Sequence, residues 1–250
     1  MRFHPSLGAW RNRSALQAAR LALDASEPLL GALDPSHMQV CPQNPGLLDD
    51  AQAQALLDGF PQTCFRLHAN AHALGWSSAA DASTAHLFGA YFDQLGRVAR
   101  TLKSPAYTWH AGLRRYARFE EVLARTQELE QRWGIPVGVE GLYPTADDRY
   151  VISSWDDYAR LLASDVRYAI DLSHLHIVRE HAGREHPASL VRELLSSPQC
   201  LEIHVSANDG AHDMHAQIGT EPWWWSDLHT HAHHGAQVFT EGGQVMPIII

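Results

Sequence analysis

The chain has 250 residues, 45% of them hydrophobic, and a formal net charge of −9 at pH 7. This length suits one large globular domain, and α/β barrels commonly reach it as a single unit. The acidic balance argues against nucleic acid as a partner, because proteins that bind it normally carry a basic face. The sequence contains no apolar run of about 18 residues that could span a membrane, and "MRFHPSLGAW" lacks the pattern of a signal peptide.

Cysteine and histidine usage narrows the class of protein further. Cys41, Cys64 and Cys200 form no CxxC pair, and each lies in or beside an apolar run. They are expected to be buried free thiols in a reducing compartment, so the sequence predicts a cytoplasmic protein. Histidine is abundant, with 17 residues. Because histidine is the commonest metal ligand in proteins, this excess favours a metal site.

Short apolar runs alternate with longer amphipathic stretches along the whole chain. Apolar residues spaced by three and four predict helices over 84–103 and 116–133, and "SSWDDYARLLAS" begins as a helix N-terminus should. The eight predicted strands are 1–10, 37–42, 64–70, 106–112, 135–143, 166–174, 200–208 and 236–243.

Eight strands that alternate with helices predict a parallel sheet with crossover helices. Eight is also the number that closes a (β/α)8 TIM barrel. No internal repeat or low-complexity linker divides the chain, so residues 1–250 are predicted to form a single TIM-barrel domain. The first two units are the least regular, because "DASEPLLGALDPS" is interrupted by proline.

Six consecutive predicted strands, the third to the eighth, place an ionisable side chain at or just beyond their C-terminal ends. The C-terminal ends of barrel strands converge on one mouth, where active sites are built. We therefore expect one ring of side chains there. Its nine members are His68, His110, Glu140, Asp171, His174, His204, Asp213, His215 and Glu241.

A ring of four carboxylates and five imidazoles favours metal binding. Buried without counter-charge, the carboxylates would repel one another and raise their pKa values. Two or three divalent cations would remove that conflict and supply Lewis acidity or an activated water. The nitrogen and oxygen ligands suit Zn, Fe(II) or Mn, and no cysteine belongs to the ring. Any one of these residues alone would fit an ordinary structural role, so the prediction depends on the joint pattern.

Other residues receive weaker interpretations. His72 and His176 are candidates for supporting the ligands from behind. The histidines of 229–234 are expected on the solvated face of the last helix, and the tryptophans of 221–225 are expected to pack over the barrel mouth. The arginines of 114–118 are expected on an exposed helix face, with the gripping of an anionic substrate as the alternative.

The order of the nine residues resembles the xylose isomerase-like TIM-barrel superfamily over nearly the whole chain. The order His, His, Glu, Asp-x-x-His, His, Asp-x-His, Glu is similar to the three-metal site of endonuclease IV. It is also similar to the site of the multinuclear non-haem iron oxidases that modify cysteines in ribosomal peptides. The isomerase and epimerase branch uses fewer positions, which correspond to Glu140, Asp171, His204 and Glu241 around one metal, with His174 facing the substrate.

Two segments favour the iron oxidases within this superfamily, and two positions depart from them. "RLHANAHALG" (66–75) and "CLEIHVSANDGAHDMH" (200–215) are similar to segments of the iron oxidases. Those oxidases have Asn after the Glu of strand five, where this chain has Gly141. Their strand six usually offers Asp followed by Asn, where this chain has His174, as in endonuclease IV. The departures remove no ligand but leave the substrate and the reaction open.

The resemblance implies a multinuclear metal enzyme, with a non-haem iron, O2-dependent oxidase as the leading hypothesis. Its substrate would be a small molecule or a cysteine-containing peptide, which a partner protein could deliver. Alternatives are a Zn-cluster phosphoester hydrolase, a single-metal sugar isomerase or epimerase with Mn or Mg, and a metal-binding scaffold without activity. In the three-metal assignment that the resemblance implies, His68 and His110 hold one outer metal, and Glu140 bridges it to the middle metal. Asp171, His204 and Glu241 complete the middle site. His174, Asp213 and His215 hold the other outer metal.

Overall fold

The computed structural model describes residues 1–41, 48–69 and 80–244. In chain order, its strands are β1 (Phe3–Pro5), β2 (Ser26–Glu27), β3 (Gly31–Ala32), β4 (His37–Val40), β5 (Cys64–His68), β6 (Tyr107–His110), β7 (Val137–Glu140), β8 (Arg167–Asp171), β9 (Cys200–Val205) and β10 (Gln237–Thr240). Its helices are α1 (Ala15–Ala22), α2 (Asp50–Gly59), α3 (Gly89–Leu102), α4 (Phe119–Trp133), α5 (Trp155–Leu162), α6 (Leu172–His181), α7 (Ala188–Ser196) and α8 (Trp225–His231).

Eight of the strands form one parallel sheet in the order β1-β10-β9-β8-β7-β6-β5-β4. A parallel bridge between Ser6 and Gln39 joins β1 to β4 and brings the two edges of the sheet together. The remaining strands, β2 and β3, form a separate antiparallel pair. The predicted TIM barrel is confirmed, and each of the eight predicted strands contains one barrel strand. Residues 42 and 70, at the ends of two predicted strands, lie outside the described residues.

Local sequence signals mark the start and end of α4 and the start of α5, whereas α3 begins at Gly89, after the predicted start at residue 84. The side chain of Glu121 accepts a hydrogen bond from the backbone N–H of Arg118 at 2.6 Å, and Gly134 ends α4 with φ of 69°. Glycine adopts this left-handed conformation without steric cost. Ser154 caps α5, because its hydroxyl accepts from the backbone N–H of Asp157 at 3.2 Å. No helix in the described ranges is long and apolar enough to cross a membrane.

Alternation along each strand sends one set of side chains to the helices and the other into the barrel. On β6, the outward Trp109 packs edge-on against Phe92 of α3, and its indole N–H donates to Thr126 of α4 at 3.1 Å. The residues that alternate with it, Thr108 and His110, therefore face the interior and the mouth. The core between barrel and helices thus fixes which strand residues can reach the site.

The tryptophans of 221–225 do not cover the barrel mouth, so that expectation is wrong. Trp224 is buried, Trp225 stacks on Phe3 of β1 at 5.8 Å, and Trp223 packs against His186 at 4.6 Å. The segment runs along the outside of the barrel, where β1 offers an apolar surface. All three cysteines are free thiols, as expected, but only Cys41 and Cys200 are buried, whereas Cys64 is half-buried.

Candidate metal centre

Parallel pairing places the ionisable strand ends next to one another. His110 lies opposite Glu140 across β6 and β7, and Asp171 lies opposite His204 across β8 and β9. All nine predicted side chains meet at the C-terminal mouth of the barrel. Five of them are buried, namely His68, Glu140, Asp171, His174 and His204. The other four are half-buried, namely His110, Asp213, His215 and Glu241.

Glu140 lies at the centre of the site, among four imidazoles. Its Oε2 atom is 3.4 Å from Nε2 of His68, 3.7 Å from Nε2 of His110 and 3.3 Å from Nδ1 of His204. Its Oε1 atom is 3.5 Å from Nδ1 of His174. Both oxygens of this one carboxylate therefore face imidazole rings.

A second group of contacts continues from His174 to the far side of the mouth. Nε2 of His174 lies 3.4 Å from Oδ2 of Asp171 and 3.5 Å from Oδ2 of Asp213. His215 contacts two carboxylates, with Nε2 at 3.0 Å from Asp213 and Nδ1 at 3.3 Å from Glu241. The nine side chains therefore form one continuous cluster rather than separate pairs.

Several buried polar atoms in this cluster are unsatisfied, which tests whether the residues fit metal ions. Oε2 of Glu140, Oδ2 of Asp171, Nδ1 of His204 and Oδ1 of Asp213 have no hydrogen-bond partner within the described part of the chain. Such atoms are costly to bury unless something binds them. Two ligand atoms that each lie about 2.0–2.2 Å from one cation are about 3–4 Å apart. The spacings in the cluster match this range, so the residues fit divalent cations.

Among the residues that the structure describes, three sets of three side chains each bring their ligand atoms within 4.8 Å of one another. Two of the sets share Glu140. The first consists of His68, His110 and Glu140, and the second consists of Asp171, His174 and Glu140. The first set corresponds to the outer site of the three-metal assignment. The second differs from it, because Asp171 lies with His174 instead of with His204 and Glu241.

The third set contains Glu202, with His68 and His204, and sequence reasoning missed it. Glu202 is fully buried inside the barrel. A signal for it exists in the sequence, because residues two apart in a strand share a face. An acidic residue two positions before His204 must therefore point into the barrel on the same side.

The imidazoles respond differently to burial because their neighbours differ. Burial lowers the pKa of His68 to about 4, against the opposing charge of Glu140. Burial also disfavours the charged form of His174, but Asp171 and Asp213 outweigh it and raise the pKa to about 10. In the same way, Asp213 and Glu241 raise the pKa of His215 to about 11 despite burial.

The carboxylates at the centre also differ. Burial raises the pKa of Asp171, and the neighbouring charge of Glu140 raises it further, against the effect of His174. Burial would raise the pKa of Glu140 as well, but His204 and His68 hold it well below its usual range. Without cations, protons on the imidazoles are the charges that neutralise the site.

A cavity of about 890 Å³ opens above the cluster, a volume typical of small-molecule sites. Four aromatic side chains and three arginines contribute to its wall beside residues of the cluster, namely Phe88, Tyr116, Tyr143, Tyr150, Arg11, Arg115 and Arg149. Of the arginines in 114–118, Arg115 lines the cavity, whereas Arg114 is engaged by Asp157 at 3.2 Å. The cavity therefore combines an aromatic wall with positive charge at its rim.

The two supporting histidines predicted from the sequence have different outcomes. His72 lies outside the described residues. His176 is half-buried beside Gly210, and within the described ranges no hydrogen bond or ion pair joins it to the nine side chains. The side chains that do support the ligands include Thr108, whose Oγ1 is 2.9 Å from Nδ1 of His68.

No protein-family model matches the sequence, and no curated protein matches it. Solved structures do match. An AP endonuclease, family 2, from Brucella melitensis is 17% identical with a TM-score of 0.70, covering 98% of this chain and 94% of the other. A D-tagatose 3-epimerase-like protein is 14% identical with a TM-score of 0.67, covering 98% and 92%.

A xylose isomerase domain containing protein from Salmonella typhimurium LT2 is 14% identical with a TM-score of 0.60, covering 95% of this chain and 87% of the other. These matches extend over nearly the whole chain, and at such identities they concern the fold. The chain has the fold of the xylose isomerase-like TIM barrels, as its sequence predicts.

Proposed function

We propose that the protein is a metal-dependent enzyme that binds two or three divalent cations at the barrel mouth. One observation carries the proposal: nine metal-ligating side chains form a continuous cluster around Glu140. A catalytic zinc or non-haem iron usually takes about three protein ligands and keeps an open position. Nine ligands are therefore too many for one ion and suit three.

Iron and O2 form the leading version of this proposal. His68, His110 and Glu140 supply two imidazoles and one carboxylate, the ligand set that non-haem Fe(II) oxygenases use. Bound iron would supply open coordination positions and the redox chemistry with O2. The substrate would be a small molecule or a cysteine-containing peptide, oxidised at the mouth and, in the peptide case, deliverable by a partner protein.

Residues around His174 orient its ring and form part of the cavity wall. Nδ1 of His174 donates to the backbone carbonyl of Gly141 at 3.0 Å, which leaves Nε2 free to hold a cation beside Asp171. Tyr143 packs against the His174 ring at 5.0 Å and, with Tyr150, forms an apolar wall for a substrate. The Gly141 carbonyl and the Tyr143 ring together hold the His174 ring in one orientation.

Elemental analysis of protein purified anaerobically without a metal-affinity tag tests the proposal. We expect two or three iron atoms per chain and O2 consumption by the loaded protein. The variant His204→Ala should lose metal while circular dichroism shows an intact fold. The matched control is His212→Ala, in the loop that follows β9, since His212 is 78% exposed and its ring pairs with Asp209 among the described residues.

The results separate the alternatives. Full metal content in His204→Ala would contradict the ligand assignment, and an absence of metal in the unaltered protein would contradict the proposal itself. One manganese or magnesium ion per chain would indicate the sugar isomerase or epimerase alternative.

A zinc-dependent phosphoester hydrolase is the second candidate, and the three arginines around the cavity favour it. Arg11, Arg115 and Arg149 place positive charge where a phosphate would enter. Two or three zinc atoms per chain, with hydrolysis of a simple aryl phosphate, would support this candidate over the oxidase.

A further inference from the structure

Glu202 lies beneath the metal centre and lines no part of the cavity. It is fully buried, and its Oε2 atom lies 3.0 Å from the hydroxyl of Thr108, 3.0 Å from the amide of Gln39 and 3.2 Å from Nε2 of His204. Its other oxygen accepts from the guanidinium of Arg66 at 3.3 Å. Four side chains from four barrel strands thus converge on one carboxylate.

This carboxylate is ionised. The guanidinium of Arg66, which is always charged, lies 3.3 Å from its Oε1 atom, and the amide nitrogen of Gln39, which can only donate, lies 3.0 Å from its Oε2 atom. An ionised carboxylate only accepts hydrogen bonds, so each polar neighbour has to donate.

The donors fix the protonation of two imidazoles. The Thr108 hydroxyl has one hydrogen, which goes to Glu202, so its oxygen accepts from Nδ1 of His68 at 2.9 Å. His68 then presents an unprotonated Nε2 towards Glu140. His204 donates from Nε2 to Glu202 directly, which leaves its Nδ1 to face Glu140.

We infer that Glu202 is a positioning residue that sets the tautomers of His68 and His204, so that both offer a free nitrogen to the same metal centre. The inference rests on the metal centre proposed above. It gives Glu202, Thr108 and Arg66 a shared role, in which Arg66 supplies the counter-charge that keeps the carboxylate ionised inside the barrel.

Gln39 is the competing influence on His204. Its amide nitrogen is 2.8 Å from Nε2 of His204 and, by donating to it, would favour the tautomer with the proton on Nδ1. A hydrogen bond to an ionised group is roughly twice as strong as one between neutral groups. The carboxylate of Glu202 therefore decides the tautomer.

The first test measures zinc affinity by competition with a chromophoric chelator. Zinc is the probe metal because it is diamagnetic and needs no redox control. We expect about 10- to 100-fold weaker binding in Thr108→Val, which breaks the chain from Glu202 through Thr108 to His68 but leaves His204 beside Glu202, and in Glu202→Gln. The matched control is Thr126→Val, since Thr126 is equally buried and accepts from Trp109, which points to the opposite face of β6 from Thr108.

The second test reads the tautomers directly. Long-range 1H–15N spectra of the zinc-loaded protein with 15N-labelled histidine should show the proton on Nδ1 of His68 and on Nε2 of His204. A proton on Nδ1 of His204 would overturn the inference. Zinc affinities of Thr108→Val and Glu202→Gln equal to that of Thr126→Val would overturn the role of Glu202 alone. No zinc binding by the unaltered protein would overturn the metal centre and this inference with it.

Discussion

Gly141 follows Glu140 directly and leaves no room for a side chain. A Cβ atom at this position would lie 2.5 Å from Cε1 of Tyr158, a fully buried ring whose hydroxyl donates to the carbonyl of Leu142 at 2.9 Å. We expect Gly141→Ala to lower the free energy of unfolding by about 1–3 kcal/mol, because the ring or the strand end has to shift. Urea unfolding measures this loss.

Gly89→Ala is the control for that change. A Cβ atom at Gly89 would meet nothing within 4 Å, at the exposed start of α3. Its effect on unfolding should stay within about 0.5 kcal/mol. Equal effects of the two substitutions would show that Tyr158 does not restrict position 141.

Asp171 contacts both the start of α6 and the candidate metal centre. Its Oδ1 atom caps α6 by accepting from the backbone N–H groups of Ser173 at 2.6 Å and His174 at 3.3 Å. Its Oδ2 atom lies 3.4 Å from Nε2 of His174 in the site. Asp171→Asn should keep the cap but weaken metal binding, because an amide nitrogen cannot replace Oδ2 as a ligand.

Asp171→Ala removes both contributions. We expect the metal-free alanine variant to be about 1 kcal/mol less stable than the metal-free asparagine variant, since only the latter retains the cap. Urea unfolding in the presence of a chelator compares the two. Equal stabilities would show that the cap contributes nothing measurable to α6.

The elements were largely predictable from the sequence because strands and helices differ in hydrophobic period. The strand ends at His68, His110 and Glu140 could be located, since a parallel barrel sends all such ends to one mouth. The partners of Glu202 could not be located, because four separate strands have to close before they meet. The predicted position of Trp225 over the barrel mouth was wrong for a related reason. The sequence does not show that Trp225 stacks on Phe3 of β1.

At the scale of the whole molecule, the metal-free protein should lose stability as the pH rises. The folded-state pKa values of His174 and His215 are raised to about 10 and about 11. A raised histidine pKa contributes its full stabilisation of the folded state at pH values below the ordinary pKa of 6.5. That contribution is lost as the pH rises through the folded-state pKa. Urea unfolding at pH 7 and pH 9 with a chelator should therefore show a decrease.

The metal-loaded protein is the control for this pH effect. Metal ligation needs unprotonated imidazoles, so the loaded protein has no such protons to lose. Cys41 and Cys200, whose pKa values burial raises to about 12, weaken both forms alike at high pH. A decrease of the same size in both forms would contradict the assignment of the effect to His174 and His215.

The pairing of β1 with β10 has a consequence for synthesis. Phe3 lies opposite Val238, so the first barrel strand to leave the ribosome has to wait for the last one before its ladder can form. Until then, β1 can pair within the described part of the sheet with β4, next to the bridge of Ser6 to Gln39. Glu241 directly follows β10. Closure of the barrel and the arrival of Glu241 at the candidate metal centre therefore coincide in one event, which follows the synthesis of β10.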